Sequence, residues 1–230
     1  MIQPAGSVTA ISQSTTWEKI LLDSGRVGES FAAGHDQVVS GAPIAWAEVA
    51  LQCGPICKET IMTISMYQAS VPLFARGVAS LKTILTKGAA HAAARKIDES
   101  VFLSARLYPD MLPFARQIHI ASDFARGTVA RLSGSEPPKW EDDEKTFAEL
   151  IARVDRTIEA VKAYSAAQID GSEDRPVTRP VRGEPKTFSG INYLLQYSMP
   201  NFYFHATTAY AILRSNGVEL GKADFIGALD

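Results

Sequence analysis

The chain has 230 residues, of which 46% are hydrophobic and 21% are charged, and its formal net charge is −2. This composition is typical of a globular protein and gives no basic surplus of the kind that binds nucleic acid. No apolar run reaches the roughly 18 residues that a membrane-spanning helix needs, and no basic segment with an apolar core follows Met1. We therefore expect a cytoplasmic protein that binds neither nucleic acid nor a membrane.

The first 61 residues differ from the rest of the chain. They are rich in Gly, Ser, Ala and Thr, and no helical pattern persists in them for more than two turns. The two cysteines, Cys53 and Cys57, lie here with a CxxxC spacing, which is a weak signal for zinc or for redox chemistry. The sequence thus predicts a poorly structured N-terminal extension over residues 1–61 and a folded domain over residues 62–230.

A first amphipathic helix is predicted from about residue 67 to residue 94. Its apolar side chains recur at spacings of three and four residues and therefore share one face: Val71, Phe74, Val78, Leu81 and Leu85. Asp98 then stands where a carboxylate caps a short helical turn through Ser104.

Two further helices are predicted in the middle of the chain. The second runs from about 109 to 132 and ends at Gly134, because glycine readily adopts the conformation that closes helices. The third is capped by Asp142 or Asp143 and has a continuous apolar face. We interpret the acidic run EDDE, at 141–144, as charge at the N-terminus of this third helix, where the helix dipole favours it.

The helical pattern is interrupted over residues 165–190. Extended character at 175–178 and 186–188 predicts a small hairpin or irregular insertion. A fourth helix is predicted from about 189 to 214, and Pro200 is expected to kink or break it. The predicted fold is an all-α, up-down four-helix bundle with a small hairpin or irregular insertion before its last helix.

Several segments carry a resemblance to a known family: MTISMYQASVPLFARG (62–77), ARLYPDMLPFARQI (105–118), ASDFARG (121–127), FAEL (147–150) and PNFYFHATTAYAILRSNGVELGKADFIG (200–227). Together they span residues 62–227 and resemble an uncharacterised family, a domain of unknown function, within the DinB/YfiT-like superfamily of four-helix bundles. The resemblance implies an up-down bundle that is often a homodimer. It also implies a divalent metal, zinc or nickel, held by one histidine on the second helix and an HxxxH pair on the fourth.

Two of the three implied metal ligands are present. His205 stands at the first position of the HxxxH motif, and His119 lies on the predicted second helix. Ala209, four residues after His205, replaces the other histidine and offers no donor atom. Asp123, four residues after His119, shares its helix face, and a carboxylate beside two imidazoles suits zinc or iron.

A metal-dependent enzyme is the first of two hypotheses about function. The resemblance implies thiol-dependent S-transferases or hydrolases, so the substrate would be a small thiol-linked or electrophilic molecule. His119 and His205 would hold the zinc or nickel, and Asn201, Asp123 or Tyr203 would position water or substrate. No catalytic residue is assigned.

A non-catalytic module is the second hypothesis, and the alanine at 209 favours it. Such a protein would bind a small molecule or form a homodimer, and its metal site would be degenerate. Asn201, His205 and Thr208 would then form a buried polar network that fixes the position of the helix. Under either hypothesis the expected pocket-lining residues are Asp123, Asn201, Tyr203 and Thr208.

Overall fold

The computed structural model describes residues 64–227, most of which are helical. In chain order its elements are α1 (Val71–Arg95), α2 (Glu99–Ser104), α3 (Phe114–Leu132), α4 (Phe147–Lys162), α5 (Ala166–Ile169), β1 (Val177–Val181), β2 (Glu184–Phe188), α6 (Gly190–Asn192), a π-helical segment (Tyr193–Ser198), α7 (Met199–Ser215) and α8 (Lys222–Ile226). The extension predicted over residues 1–61, with Cys53 and Cys57, lies outside the described residues.

Four long helices form the bundle. The helix α1 packs mainly against α4, and α3 packs mainly against α7. Two contacts show the relative direction of α3 and the last long helix. Arg131, near the end of α3, lies near Tyr193, whereas Gln117, near its start, lies near His205, which comes later in the chain. These helices are therefore antiparallel, and the predicted all-α bundle is confirmed.

Aromatic side chains fill the centre of the bundle. Phe74, Phe114, Phe147 and Phe202 come from the four long helices and are almost wholly buried. Phe74 and Phe202 meet edge to face with ring centroids 5.3 Å apart. Burial of each such side chain contributes roughly 1.5–3 kcal/mol, so this core holds the four helices together.

Two predicted helix ends are confirmed. The Asp98 carboxylate accepts a hydrogen bond from the Ser100 N–H at 2.8 Å, which caps α2. Gly134 follows α3 with a φ of +84°, and the Ser135 N–H donates to the Ala130 carbonyl at 2.9 Å. This is the six-to-one bond that a glycine at a helix C-terminus permits.

The predicted start of α3 near residue 109 is wrong. The helix begins at Phe114, after Pro113 in an extended conformation with φ −71° and ψ 164°. A proline disfavours helical geometry in the residue before it, so the helix cannot run back through Leu112.

The predicted cap of α4 is also wrong. Thr146, not Asp142 or Asp143, is the N-cap. Its hydroxyl accepts from the Glu149 N–H at 3.2 Å, and the Glu149 carboxylate accepts from the Thr146 N–H at 3.1 Å. This reciprocal capping box satisfies free N–H groups at the start of α4, so the acidic run is not needed as a cap.

The insertion before the last long helix is a two-stranded antiparallel hairpin, as predicted. Val177 of β1 lies opposite Phe188 of β2. Arg182 and Gly183 form its two-residue turn with φ values of +53° and +88°.

Pro200 does not break the last long helix, so of the predicted kink or break the break is wrong. The π-helical segment Tyr193–Ser198 leads directly into α7, and Pro200 falls in the first turn of α7. A missing N–H costs little there, because the wider π-helical turn has already changed the backbone bonding.

Candidate functional site

Charged side chains surround Arg153, where α3 and α4 meet the loop between them. We call His119, Asp123, Asp142, Glu144 and Arg153 the Arg153 cluster. The Arg153 side chain is 1% exposed, and its guanidinium lies 2.8 Å from Asp142, 3.0 Å from Glu144 and 3.2 Å from Asp123. A buried guanidinium is stable only with such partners, so this cation orders all three carboxylates around it.

His119 is buried at the edge of the Arg153 cluster. Its Nε2 lies 2.9 Å from a Glu144 oxygen and its Nδ1 lies 3.9 Å from Asp142. Neither contact has the geometry of a hydrogen bond, so both ring nitrogens are without a hydrogen-bond partner within residues 64–227. Burial, followed by the positive charge of Arg153, lowers the pKa of His119 despite the two carboxylates. The imidazole is therefore neutral at pH 7.

The acidic run at 141–144 has a different role from the one predicted. Asp142 and Glu144 turn inward and pair with Arg153. Burial acts to raise the pKa of Asp142, but a hydrogen bond from Arg116 and nearby positive charge lower it overall. Asp142 is thus held as an anion by its arginine partners at the partly exposed edge of the cluster, and it does not cap a helix.

Three guanidiniums lie over the ring of Trp140, and that of Arg153 is the farthest, at 5.7 Å from the ring centroid. Arg126 is 4.2 Å and Arg156 is 3.7 Å from the ring centroid. Arg126 also pairs with Asp123 at 2.7 Å and donates to the Pro138 carbonyl. These contacts bind the loop before α4 to the surface of α3.

His205 has a different environment. Its Nδ1 lies 2.7 Å from the Gln117 side-chain oxygen, and its ring stacks on Phe124 with an interplanar angle of 16°. The Gln117 amide nitrogen donates to the Leu112 carbonyl at 2.9 Å, so its oxygen accepts and His205 Nδ1 carries the proton. Burial lowers the pKa of His205.

The two histidines lie on different sides of α3. Gln117, which bonds His205, and His119 are two residues apart, and an α-helix turns by about 100° per residue. Their side chains therefore point about 160° apart around α3. His119 faces the Arg153 cluster and His205 faces the opposite interface with α7, so α3 itself separates them.

The other predicted residues of the last helix do not join His205. The Asn201 amide donates to the Tyr197 carbonyl at 2.6 Å, and the Thr208 hydroxyl donates to the Phe204 carbonyl at 2.7 Å. Both bonds lie within the helix. The predicted network of Asn201, His205 and Thr208 is therefore replaced by two local bonds and the separate pair with Gln117.

The remaining predicted residues divide between surface and cleft. Tyr203 is 38% exposed on α7. Asp123 lines a cleft of about 270 Å³ between α3, the loop at 136–139 and the hairpin. Of the four predicted pocket-lining residues, Asp123 thus lines this cleft, whereas Asn201, Tyr203 and Thr208 do not.

The family of the chain follows from comparison with known proteins. A family model described as Domain of unknown function (DUF1993) matches residues 66–226. The chain belongs to this family. A crystal structure of a DinB family member protein from Shewanella denitrificans is 38% identical, with a TM-score of 0.67 over 71% of this chain and 92% of that one. Comparison with curated proteins gave no match.

A three-histidine metal centre does not fit the residues of this DUF1993 chain. Ala209 is fully buried and has no donor, while His119 and His205 lie on different sides of α3. In residues 64–227, no group of three or more His, Cys, Asp or Glu side chains is arranged to hold a metal ion. This geometry therefore does not support a single metal ion bound by both His119 and His205. Measurement of the metal content of the purified protein would test this conclusion.

Among residues 64–227 of this DUF1993 chain, no helix is both long and apolar enough to cross a membrane.

Sequence reasoning missed Arg153 and Gln117, although both interrupt apolar stripes. Arg153 lies between Leu150 and Val154 on the buried face of α4, and Gln117 precedes the fully buried Ile118. Charged and amide side chains are rarely buried without partners. A polar residue at a buried helical position was therefore the signal that could have located both contacts.

The protein is expected to lose stability as the pH falls from 7 towards 5. The pKa of His119 and the pKa of His205 are lowered in the folded state, whereas unfolded histidine titrates near a pKa of about 6.5. Below that pH the unfolded chain binds more protons than the folded one, so the free energy of unfolding decreases. Urea unfolding at several pH values should show this decrease, and it should be smaller in His119→Gln and in His205→Gln. Equal pH dependence in both variants and the wild type would contradict the assignment.

Proposed function

We propose that this protein is a non-catalytic, small-molecule-binding bundle whose metal site is degenerate. The observation that carries the proposal is the placement of His119 and His205 on different sides of α3. A zinc ion bonded to both would need each nitrogen within about 2.1 Å of the metal. Helix α3 would have to rotate to bring them together.

The surroundings of His119 and the residue at 209 support the same proposal. The Nδ1 atom of His205 is engaged by Gln117, so Nε2 is the nitrogen left to bind a metal, on the side of α3 away from His119. His119 is next to a buried guanidinium, which repels a dication. Ala209, at the position where the family resemblance implies a third ligand, packs in the core. These side chains act as structural elements at helix interfaces.

Metal analysis of the full chain, purified without a histidine tag, tests this proposal. After chelation and re-exposure to zinc or nickel, we expect well under one equivalent of metal per chain. His205→Ala should leave the metal content unchanged and lower the melting temperature, since it removes the bond to Gln117. A variant with both Cys53 and Cys57 changed to Ala is the control for binding by these thiols.

The opposite result would favour the alternative function. One equivalent of zinc or nickel that survives the cysteine changes and is lost in His205→Ala would contradict the proposal. It would indicate a metal-assisted transferase or hydrolase acting on a small thiol-linked or electrophilic substrate. The predicted homodimer and cytoplasmic location stay predictions.

A further inference from the structure

The cleft beside the Arg153 cluster has an excess of positive charge. Its charged lining residues are Asp123, Arg126, Arg131, Glu136, Lys139 and Arg179. These amount to four cations and two anions, although the whole chain has a net charge of −2. A locally positive cleft concentrates anions, because its low-dielectric walls focus the field.

The acidic groups of the cleft do not neutralise its cations. Asp123 is already shared between Arg126, at 2.7 Å, and Arg153, at 3.2 Å. Glu136 is exposed on the loop. Within the described part of the chain, no carboxylate forms an ion pair with Arg131, Lys139 or Arg179. Three cations therefore line the cleft without a protein counter-ion.

Two arginines of the cleft also carry unused buried donors. The Nε atoms of Arg126 and Arg179 are buried and have no hydrogen-bond partner among residues 64–227. The Arg126 side chain is only 8% exposed. A buried guanidinium N–H without a partner is costly, and an anion beside such a guanidinium lowers that cost through its charge.

Aromatic rings form part of the cleft wall. Phe124, which is half-buried, lines it, whereas Tyr193 is 1% exposed and lies beneath the surface with its hydroxyl 3.3 Å from an Arg131 guanidinium nitrogen. The Tyr197 ring meets that of Phe124 edge to face, with centroids 5.8 Å apart, and stacks on that of Tyr193, with centroids 6.0 Å apart. A ligand here therefore meets an apolar surface next to positive charge, which is the usual composition of a small-molecule site.

We infer that this cleft binds a small organic anion, with a carboxylate or phosphate near Arg131, Lys139 and Arg179 and an apolar or aromatic group against Phe124. The inference rests on the proposed small-molecule-binding function and names the class of ligand. The cleft volume of about 270 Å³ suits a ligand of one ring rather than a nucleotide.

Binding of benzoate, phenyl phosphate and benzamide to the full chain, first stripped of metal and then dialysed free of chelator, tests this inference by calorimetry. We expect benzoate or phenyl phosphate to bind, with affinity that falls as salt rises, because the cations are partly exposed. Benzamide has the same shape as benzoate without its charge and should bind far more weakly. The ratio of benzoate to phenyl phosphate affinity distinguishes a carboxylate site from a phosphate site.

Arg179→Gln and Arg182→Gln form a matched pair of variants. Both remove one positive charge from the hairpin, but Arg179 lines the cleft whereas Arg182 is exposed in the turn. Arg179→Gln should weaken anion binding roughly tenfold to a hundredfold, which corresponds to the loss of a hydrogen bond to a charged group. Arg182→Gln should bind as the wild type does. If Arg179→Gln fails to fold, Lys139→Gln on the exposed loop gives the same comparison.

The inference is overturned if neither anion binds, if benzamide binds as tightly as benzoate, or if the Arg179 and Arg182 variants bind equally. Inorganic phosphate should bind more weakly than phenyl phosphate, and equal affinity would contradict the role of the aromatic wall. Metal content is measured separately on the same preparation. Failure of anion binding is therefore distinguishable from failure of the degenerate-site proposal, which one equivalent of bound metal would contradict.

Discussion

Arg153→Met is expected to lower the free energy of unfolding by about 3–5 kcal/mol, the usual cost of removing one partner from a buried ion pair. The side chain is 1% exposed, and Glu144 and Asp142 are 11% and 29% exposed. Glu144 would keep its burial and lose its cation, whereas Asp142 would keep its ion pair with Arg116. Asp123, at 43% exposed, is solvated and should contribute little to the loss. Urea unfolding at pH 7 measures the change.

Arg156→Met is the matched control for this variant. Arg156 lies on the same helix, one turn further on, but it is exposed and stacks on Trp140 at 3.7 Å. Its removal should cost about 1 kcal/mol or less, the value of an exposed cation–π contact. Equal losses in Arg153→Met and Arg156→Met would contradict the account of the Arg153 cluster.

A double variant separates two costs: the loss of the arginine itself, and the burial of a carboxylate that no longer has a partner. Adding Glu144→Gln to Arg153→Met removes the carboxylate that the single change leaves buried and unpaired. The double variant should therefore be less destabilised than the sum of the two single variants. Strict additivity would mean that the two side chains do not act as a pair.

Gly190→Ala has the second large expected effect. Gly190 begins the last long helix, and a Cβ at this position would overlap the backbone carbonyl of Ser172. The neighbouring Ile191 N–H donates to the Glu173 carbonyl at 2.9 Å, so the loop before the hairpin is fixed against the helix start. Backbone atoms cannot move aside as a flexible side chain does. We expect a loss of about 3 kcal/mol, the upper end of overpacking.

Gly221→Ala is the control for this substitution. Gly221 has a φ of −125°, which alanine accepts, and a Cβ there would meet no atom within 4 Å. Its effect should be about 1 kcal/mol or less. Thermal unfolding of both variants measures the difference. If Gly190→Ala were as stable as Gly221→Ala, the backbone at 172–173 would have to move at little cost in free energy, which would contradict the prediction.

The helices of this protein were predictable because their signals are local. Apolar spacing located α1, Asp98 marked the start of α2, and Gly134 marked the end of α3. Each of these depends on contacts within a few residues of chain. The family resemblance added the bundle topology, which the DUF1993 match and the DinB family structure support.

The errors arose where a local signal had competing explanations. Asp142 and Asp143 are good capping residues in isolation, but Thr146 forms a reciprocal bond with Glu149 and so fixes the helix start. Asp142 was then free to reach Arg153. Pro200 is a helix breaker in general, but the preceding π-helical segment places it in a first turn.

The sequence by itself determined the four long helices apart from some of their ends, an insertion before the last of them, the family resemblance and the absence of a histidine at position 209. Only the tertiary structure decided that His119 faces a buried arginine whereas His205 faces Gln117, and that Arg131 and Arg179 line one cleft. Periodicity defines the faces of one helix, but it does not define how neighbouring helices are rotated against each other. That rotation depends on packing between residues far apart in the chain, and it determines which polar side chains meet.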